Sequence, residues 1–186
     1  MDPAQGAGVT DAGALIASLV RDVPGFPIAG VTFKDLTPVF ADGAAVRVVT
    51  DALAAPFEGA GAPRFDMVAG IEARGFVLAG AISYATGAGL VPIRKAGKLP
   101  RETHRVTYAL EYGEAALEIH TDAFAGGRRV LIVDDVLATG GTAEATAALV
   151  RQAGGEVTGM AFVLEIGFLG GRARLSGERI HALLTV

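Results

Sequence analysis

The chain contains no cysteine, so neither a disulfide framework nor a cysteine-built zinc site is available to it. Its three histidines, His104, His120 and His181, show no ligand spacing and read as surface or partly buried side chains. No metal site built from protein groups alone is therefore expected. No apolar run reaches membrane-spanning length, because glycine, proline or a charge interrupts each one. The N-terminus carries Asp2 and no basic stretch ahead of an apolar one, so no secretory signal is read and a cytoplasmic location is expected. Charged residues are scarce at 19%, and the net charge of −4 argues against a general nucleic-acid surface, though not against a local basic site. Neither GxxxxGK[ST] nor GxGxxG occurs, which removes two common phosphate-binding loops.

What is present is a core. Of the 186 residues, 51% are hydrophobic, enough for one domain spanning 1–186. Residues 1–9 are small and glycine-rich and are expected to be mobile. Thr10 or Asp11 can cap a helix whose apolar face is Leu15, Ile16, Leu19 and Val20. Pro24, Gly25, Pro27 and Gly30 then rule out helix and imply a loop. Asp42 can cap a second helix through Val46, Val49 and Leu53.

From Asp66 the pattern alternates. Strands are expected at 66–70, 90–93, 130–133 and 157–164, with helices at 76–85 and 143–153 closed by glycines. The unbroken apolar run Val130–Val133 is that of a central strand covered on both faces. The expected class is α/β, with a mainly parallel central sheet flanked by helices. Val106–Tyr112 and Ala115–Ile119, separated by Gly113 and Glu114, read instead as an inserted hairpin.

The chemistry concentrates in VLIVDDVLATGGT, Val130–Thr142. A buried strand runs into Asp134 and Asp135, then a short turn, then Thr139, Gly140, Gly141 and Thr142 at a helix start. In an open parallel sheet, ligands bind beyond the carboxyl ends of the strands. The glycines let backbone N–H groups approach an anion, and the helix N-terminus adds unpaired donors. Carboxylates would repel a phosphate but accept hydrogen bonds from sugar hydroxyls. Two acids followed by a phosphate cradle therefore point to a sugar phosphate of the ribose 5-phosphate kind. The bland alternative is a solvated acid pair beside helix-capping threonines.

This thirteen-residue segment resembles the 5-phosphoribosyl-1-pyrophosphate signature of type I phosphoribosyltransferases. PGFPIAGVTFKDLTPVFAD, GIEARGF, PIRKAGKLPRET and YALEYGEAALEIH are similar, in order and spacing, to successive blocks of the adenine phosphoribosyltransferases. The resemblance covers most of residues 24–142 and is less distinctive in the last 40 residues.

It implies the type I phosphoribosyltransferase fold, with a hood and base-binding segment at about 10–41 and a flexible hairpin. It also implies a reaction: adenine and 5-phosphoribosyl-1-pyrophosphate giving AMP and pyrophosphate. Asp134 and Asp135 would orient the ribose, and Ala138, Thr139, Gly140, Gly141 and Thr142 would hold the 5-phosphate. The 72–75 loop with Arg74, together with Lys95 and Lys98, would hold pyrophosphate. Arg94, Lys95, Lys98, Arg101 and Arg105 fall within twelve residues with only Glu102 opposing, which without the resemblance reads as a solvated loop.

Glu111 matches the family's acid–base glutamate; its alternative is an exposed strand glutamate like Glu118. Phe33, read as lying in a loop, would pack on adenine, while backbone groups of Thr32 and Lys34 read its edge and Ile166 supplies the opposite wall. Thr32 and Lys34 depart from the aliphatic residue and arginine expected there, which matters little if the contacts are made by backbone. Magnesium held mainly by substrate and water is implied, as is a homodimer. The rivals are a phosphoribosyltransferase for xanthine, hypoxanthine or orotate, and a ligand-sensing DNA-binding regulator. The 26–35 segment and the LEYG hairpin weigh against the first. The second is disfavoured by the lack of room before residue 10 and of a basic recognition helix.

Overall fold

The computed structural model describes residues 11–59, 62–109 and 113–186. Asp11 caps helix α1 (Ala12–Leu19), its Oδ1 accepting from the N–H groups of Gly13 and Ala14. Strands β1 (Arg21–Pro24) and β2 (Thr32–Asp35) follow as an antiparallel pair. The expected loop is thus the turn of a hairpin, and Phe33 sits on a strand. After α2 (Thr37–Ala41), Asp42 caps α3 (Gly43–Ala54) as its position before the apolar face predicts. A short 3-10 turn (Ala55–Phe57) leads to the two-residue pair β3 (Glu58–Gly59) and β4 (Ala62–Pro63).

The body of the fold is β5 (Met67–Ile71), α4 (Gly75–Thr86), β6 (Gly89–Lys95), β7 (Thr103–Ala109), β8 (Glu114–His120), β9 (Arg129–Leu137), α5 (Gly141–Gln152), β10 (Glu156–Glu165), α6 (Gly171–Arg174) and β11 (Ile180–Thr185). Seven of these strands form one sheet in the order β11-β10-β9-β5-β6-β8-β7. The first five run parallel, and β8 and β7 close one edge as an antiparallel hairpin. That hairpin begins three residues earlier than its β-prone run suggests, at Thr103 rather than Val106.

Each face of the sheet carries its own core. Val130 and Ile132 of β9 pack with Leu149 and Val150 of α5, whereas Leu131 and Val133 pack with Leu78 and Ile82 of α4 and Val49 and Leu53 of α3. Alternation along a strand produces this division, and burial of both faces explains the unbroken apolar run. The connection β5–α4–β6 turns one way and β9–α5–β10 the other. Their reversal leaves a crevice beyond the carboxyl ends of β5 and β9, the position where such sheets bind ligands.

Candidate active site

Helices α4 and α5 both begin at this crevice, and neither start carries a side-chain cap. The contrast is with α1 and α3, whose first N–H groups are held by aspartates. Uncapped N-termini leave donors and the positive end of the helix dipole for an anion. At α5 the preceding residue is Gly140 at φ +83°, a left-handed conformation in which a side chain would also press a Cβ to 2.8 Å from the Gly171 carbonyl oxygen. Ala138, Thr139, Gly140, Gly141 and Thr142 line one open pocket of about 350 Å³ of empty space, with Asp134 on its wall. The predicted 5-phosphate residues are therefore brought together. Tyr108, not singled out in the sequence, reaches this cradle from β7: the Thr142 hydroxyl donates to its phenolic oxygen at 3.2 Å.

Asp134 and Asp135 follow the apolar run of β9, two residues before its buried last residue Leu137. Asp134 Oδ1 accepts from the Asp135 N–H at 2.9 Å, and Asp135 is only 3% exposed. Burial pushes both carboxyls above their usual range, and for Asp134 the neighbouring Asp135 charge pushes further in the same direction. Arg74 acts against the rise at Asp135. Its Nε lies 2.7 Å from Asp135 Oδ2, an ion-pair contact. That buried oxygen nevertheless has no hydrogen-bond partner, because the two groups are not aligned for one. Gly75, at the start of α4, makes the approach possible, since a Cβ there would stand 2.7 Å from the Val133 carbonyl oxygen and 3.1 Å from Asp134 Oδ1.

The same Arg74 lies over the Phe33 ring, 5.2 Å from its centroid, and Phe26 meets Phe33 edge-on at 5.2 Å. Gly25 N–H donates to the Val31 carbonyl at 2.7 Å, which makes that opposite pair hydrogen-bonded. Antiparallel pairs alternate, so Thr32 and Lys34, opposite Pro24 and Asp22, fall at positions whose backbone N–H and C=O face away from β1. Pro24, which has no N–H to give, occupies such a position. The Lys34 ammonium is held by Asp22 at 2.7 Å, so its side chain braces the hairpin.

The basic cluster at 94–105 is less free than its sequence suggests. Glu102 is not its only opposing acid: Arg94 pairs with Glu72 at 2.9 Å, Arg101 with Asp122 at 2.6 Å, and Arg105 approaches Glu118 at 4.0 Å. Among the described residues, Lys95 and Lys98 have no carboxylate within ion-pair distance, and these are the two lysines expected to meet pyrophosphate. Glu72 also accepts from the Lys95 N–H at 2.9 Å, tying the 72–75 loop to the end of β6. Glu118, expected to be an exposed strand glutamate, is 7% exposed and accepts from the Gly97 N–H at 2.8 Å. Cross-strand partners outside its own segment bury it, which no local pattern signals. Glu111 lies outside the described residues. Ile166, half-buried, follows β10 directly, its N–H donating to the Leu137 carbonyl at 2.8 Å beside the cradle.

A family model described as the phosphoribosyl transferase domain matches residues 38–175. The chain is 62% identical over 172 residues to an adenine phosphoribosyltransferase of Salinispora tropica, covering 92% of this chain and 90% of that one. Its fold is similar to the adenine phosphoribosyltransferase of Thermoanaerobacter pseudethanolicus, with a TM-score of 0.88, 46% identity, and 93% and 99% of the two chains covered. The Saccharomyces cerevisiae enzyme, whose structure holds an imino-altritol bisphosphate and adenine, superposes with a TM-score of 0.85 at 36% identity over 93% and 98% of the chains. The chain belongs to the phosphoribosyltransferase family, among its adenine phosphoribosyltransferases.

Proposed function

We propose that this chain transfers the 5-phosphoribosyl group of 5-phosphoribosyl-1-pyrophosphate to adenine, releasing AMP and pyrophosphate, as a step of purine salvage. The observation that carries the reading is one crevice in which two uncapped helix starts flank the half-buried Asp134 and the buried Asp135. The adenine held by the Saccharomyces cerevisiae relative supports the choice of base.

The division of labour follows from the groups present. The α5 start and Thr142 bind the 5-phosphate, while the carboxylates of Asp134 and Asp135 accept from the ribose hydroxyls. The ring nitrogen of adenine attacks the anomeric carbon as pyrophosphate departs. Arg74, Lys95 and Lys98 take up the leaving group's charge. Phe33 and Ile166 sandwich the base, and the free backbone edge at Thr32 and Lys34 reads its amino group and ring nitrogen. Glu111 carries the proton released by the base.

No group of three His, Cys, Asp or Glu side chains with metal-ligand geometry occurs among the described residues. The acid pair offers oxygen atoms suited to a hard cation as single ligands or through water, so magnesium would be held mostly by substrate. When bound, it neutralises charge on the pyrophosphate oxygens. We further propose a homodimer in the cytoplasm, where phosphorylated substrates are retained. The deciding experiment is pyrophosphate release measured against a panel of nucleobases. Release that depends on adenine is expected; equal release with hypoxanthine or orotate would overturn the base assignment.

A further inference from the structure

Beyond β10 the chain makes a 3-10 turn (Gly167–Leu169) and enters α6, and one ion pair spans this excursion. Glu165, the last residue of β10, is 6% exposed. Arg172 closes on it as a fork, with Nε at 3.1 and 3.2 Å from its two carboxylate oxygens and one terminal nitrogen at 2.6 Å. The other terminal nitrogen donates to the Ile180 carbonyl at 3.2 Å, at the start of β11. One guanidinium thus fastens the end of β10, α6 and the start of β11.

What lies between the two ends is functional ground. Ile166 follows Glu165 directly and is tied to Leu137, the last residue before the cradle. Gly171 precedes Arg172 and lies backbone to backbone on the cradle, where a Cβ would stand only 2.2 Å from the Ala138 carbonyl oxygen. Gly140 in turn abuts Gly171. The excursion therefore presents the base wall at one end and buttresses the phosphate loop at the other. The pair is buried on its carboxylate side alone, the arginine side chain being 49% exposed, and such a pair is a poor source of net stability. Its planar fork does supply fixed geometry.

We infer that Arg172 and Glu165 form a positioning clamp that sets the base wall at Ile166 against the 5-phosphate loop at 138–140, so that base and phosphate are gripped in one register. The inference rests on the site assignments above. The residues assigned to pyrophosphate, Arg74 just before α4, Lys95 at the end of β6 and Lys98 beyond it, lie on the far side of β9 from the clamp.

The test is binding of AMP and, separately, of magnesium pyrophosphate to folded protein by calorimetry. Arg172→Met is expected to weaken AMP about ten-fold and to leave pyrophosphate within about two-fold. Arg172→Lys keeps the charge but loses the fork. It should fall between, and it is read the same way if the first variant does not fold. Ile166→Ala should weaken AMP in the parent chain and do so less when Arg172 is already Met. AMP affinity unchanged at Arg172, or both ligands weakened equally, overturns the clamp while leaving the site assignment standing. Unchanged AMP affinity in Ile166→Ala withdraws the base wall and the clamp together.

Discussion

Arg74 touches both halves of the proposed substrate site: its Nε is 2.7 Å from Asp135 Oδ2, and its guanidinium carbon is 5.2 Å from the centre of the Phe33 ring. The pair with Asp135 is one-sided in burial, the arginine side chain being 40% exposed and the aspartate 4%. Removing the arginine leaves a buried carboxyl uncompensated, whereas removing both charges does not. Arg74→Leu should therefore destabilise the protein by about 1–3 kcal/mol, less than a fully buried pair would because water reaches the arginine. Arg74→Leu combined with Asp135→Asn should recover most of that stability and none of the turnover. Denaturant titration of the three variants checks this, and an additive double variant would contradict it.

Asp134 and Asp135 should prove indispensable for turnover and poor for stability. Burial and mutual repulsion raise the Asp134 carboxyl in the folded chain, whereas the unfolded chain keeps an ordinary value of ~3.9. The native state therefore holds its proton to higher pH. Stability is favoured by that proton at low pH and declines as pH rises from the unfolded value through the raised folded one. Asp134→Asn should melt above the parent at neutral pH, with the gap closing toward about pH 4. Its turnover should fall by about two orders of magnitude or more. A variant that melts lower at neutral pH would refute the electrostatic account.

Base choice should survive substitution in the segment that makes it. Adenine offers a donor at its amino group and an acceptor at the neighbouring ring nitrogen, and 6-oxopurines reverse both. Because the free edge of β2 presents backbone groups, Thr32→Val and Lys34→Arg should keep a preference for adenine over hypoxanthine of ~10⁴ in kcat/KM. Comparable efficiencies with the two bases, in the parent or either variant, would remove the backbone-edge reading.

The β7 edge should respond to ligand. β7 has β8 on one side only and meets the cradle through Tyr108 and Thr142. Amide exchange over Thr103–Ala109 should slow when AMP or both substrates bind and remain fast with pyrophosphate alone. Exchange that is slow and indifferent to ligand would argue against a β7 edge that responds to the cradle's occupant.

By itself, the sequence determined the order of strands and helices from Asp66 to the end of β10, but not α6 or β11, together with the cap at Asp42, a cap at Thr10 or Asp11 that the structure gives to Asp11, and the strand–acid–glycine segment. These depend on local pattern: apolar period, capping oxygens, and glycine where a side chain cannot fit. Tertiary structure decided which charges were already spent. Arg94, Arg101 and Arg105 face acids at 72, 122 and 118, and Glu118 is buried by partners on other strands. The open backbone edge at Thr32 and Lys34 depended on the pairing of β2 with β1, which prolines and glycines had disguised as a loop. Tyr108 on the cradle and Arg172 on Glu165 likewise join residues from separate elements. A side chain's partner across a sheet is set by register and packing over the whole chain, and no window of neighbouring residues contains that information.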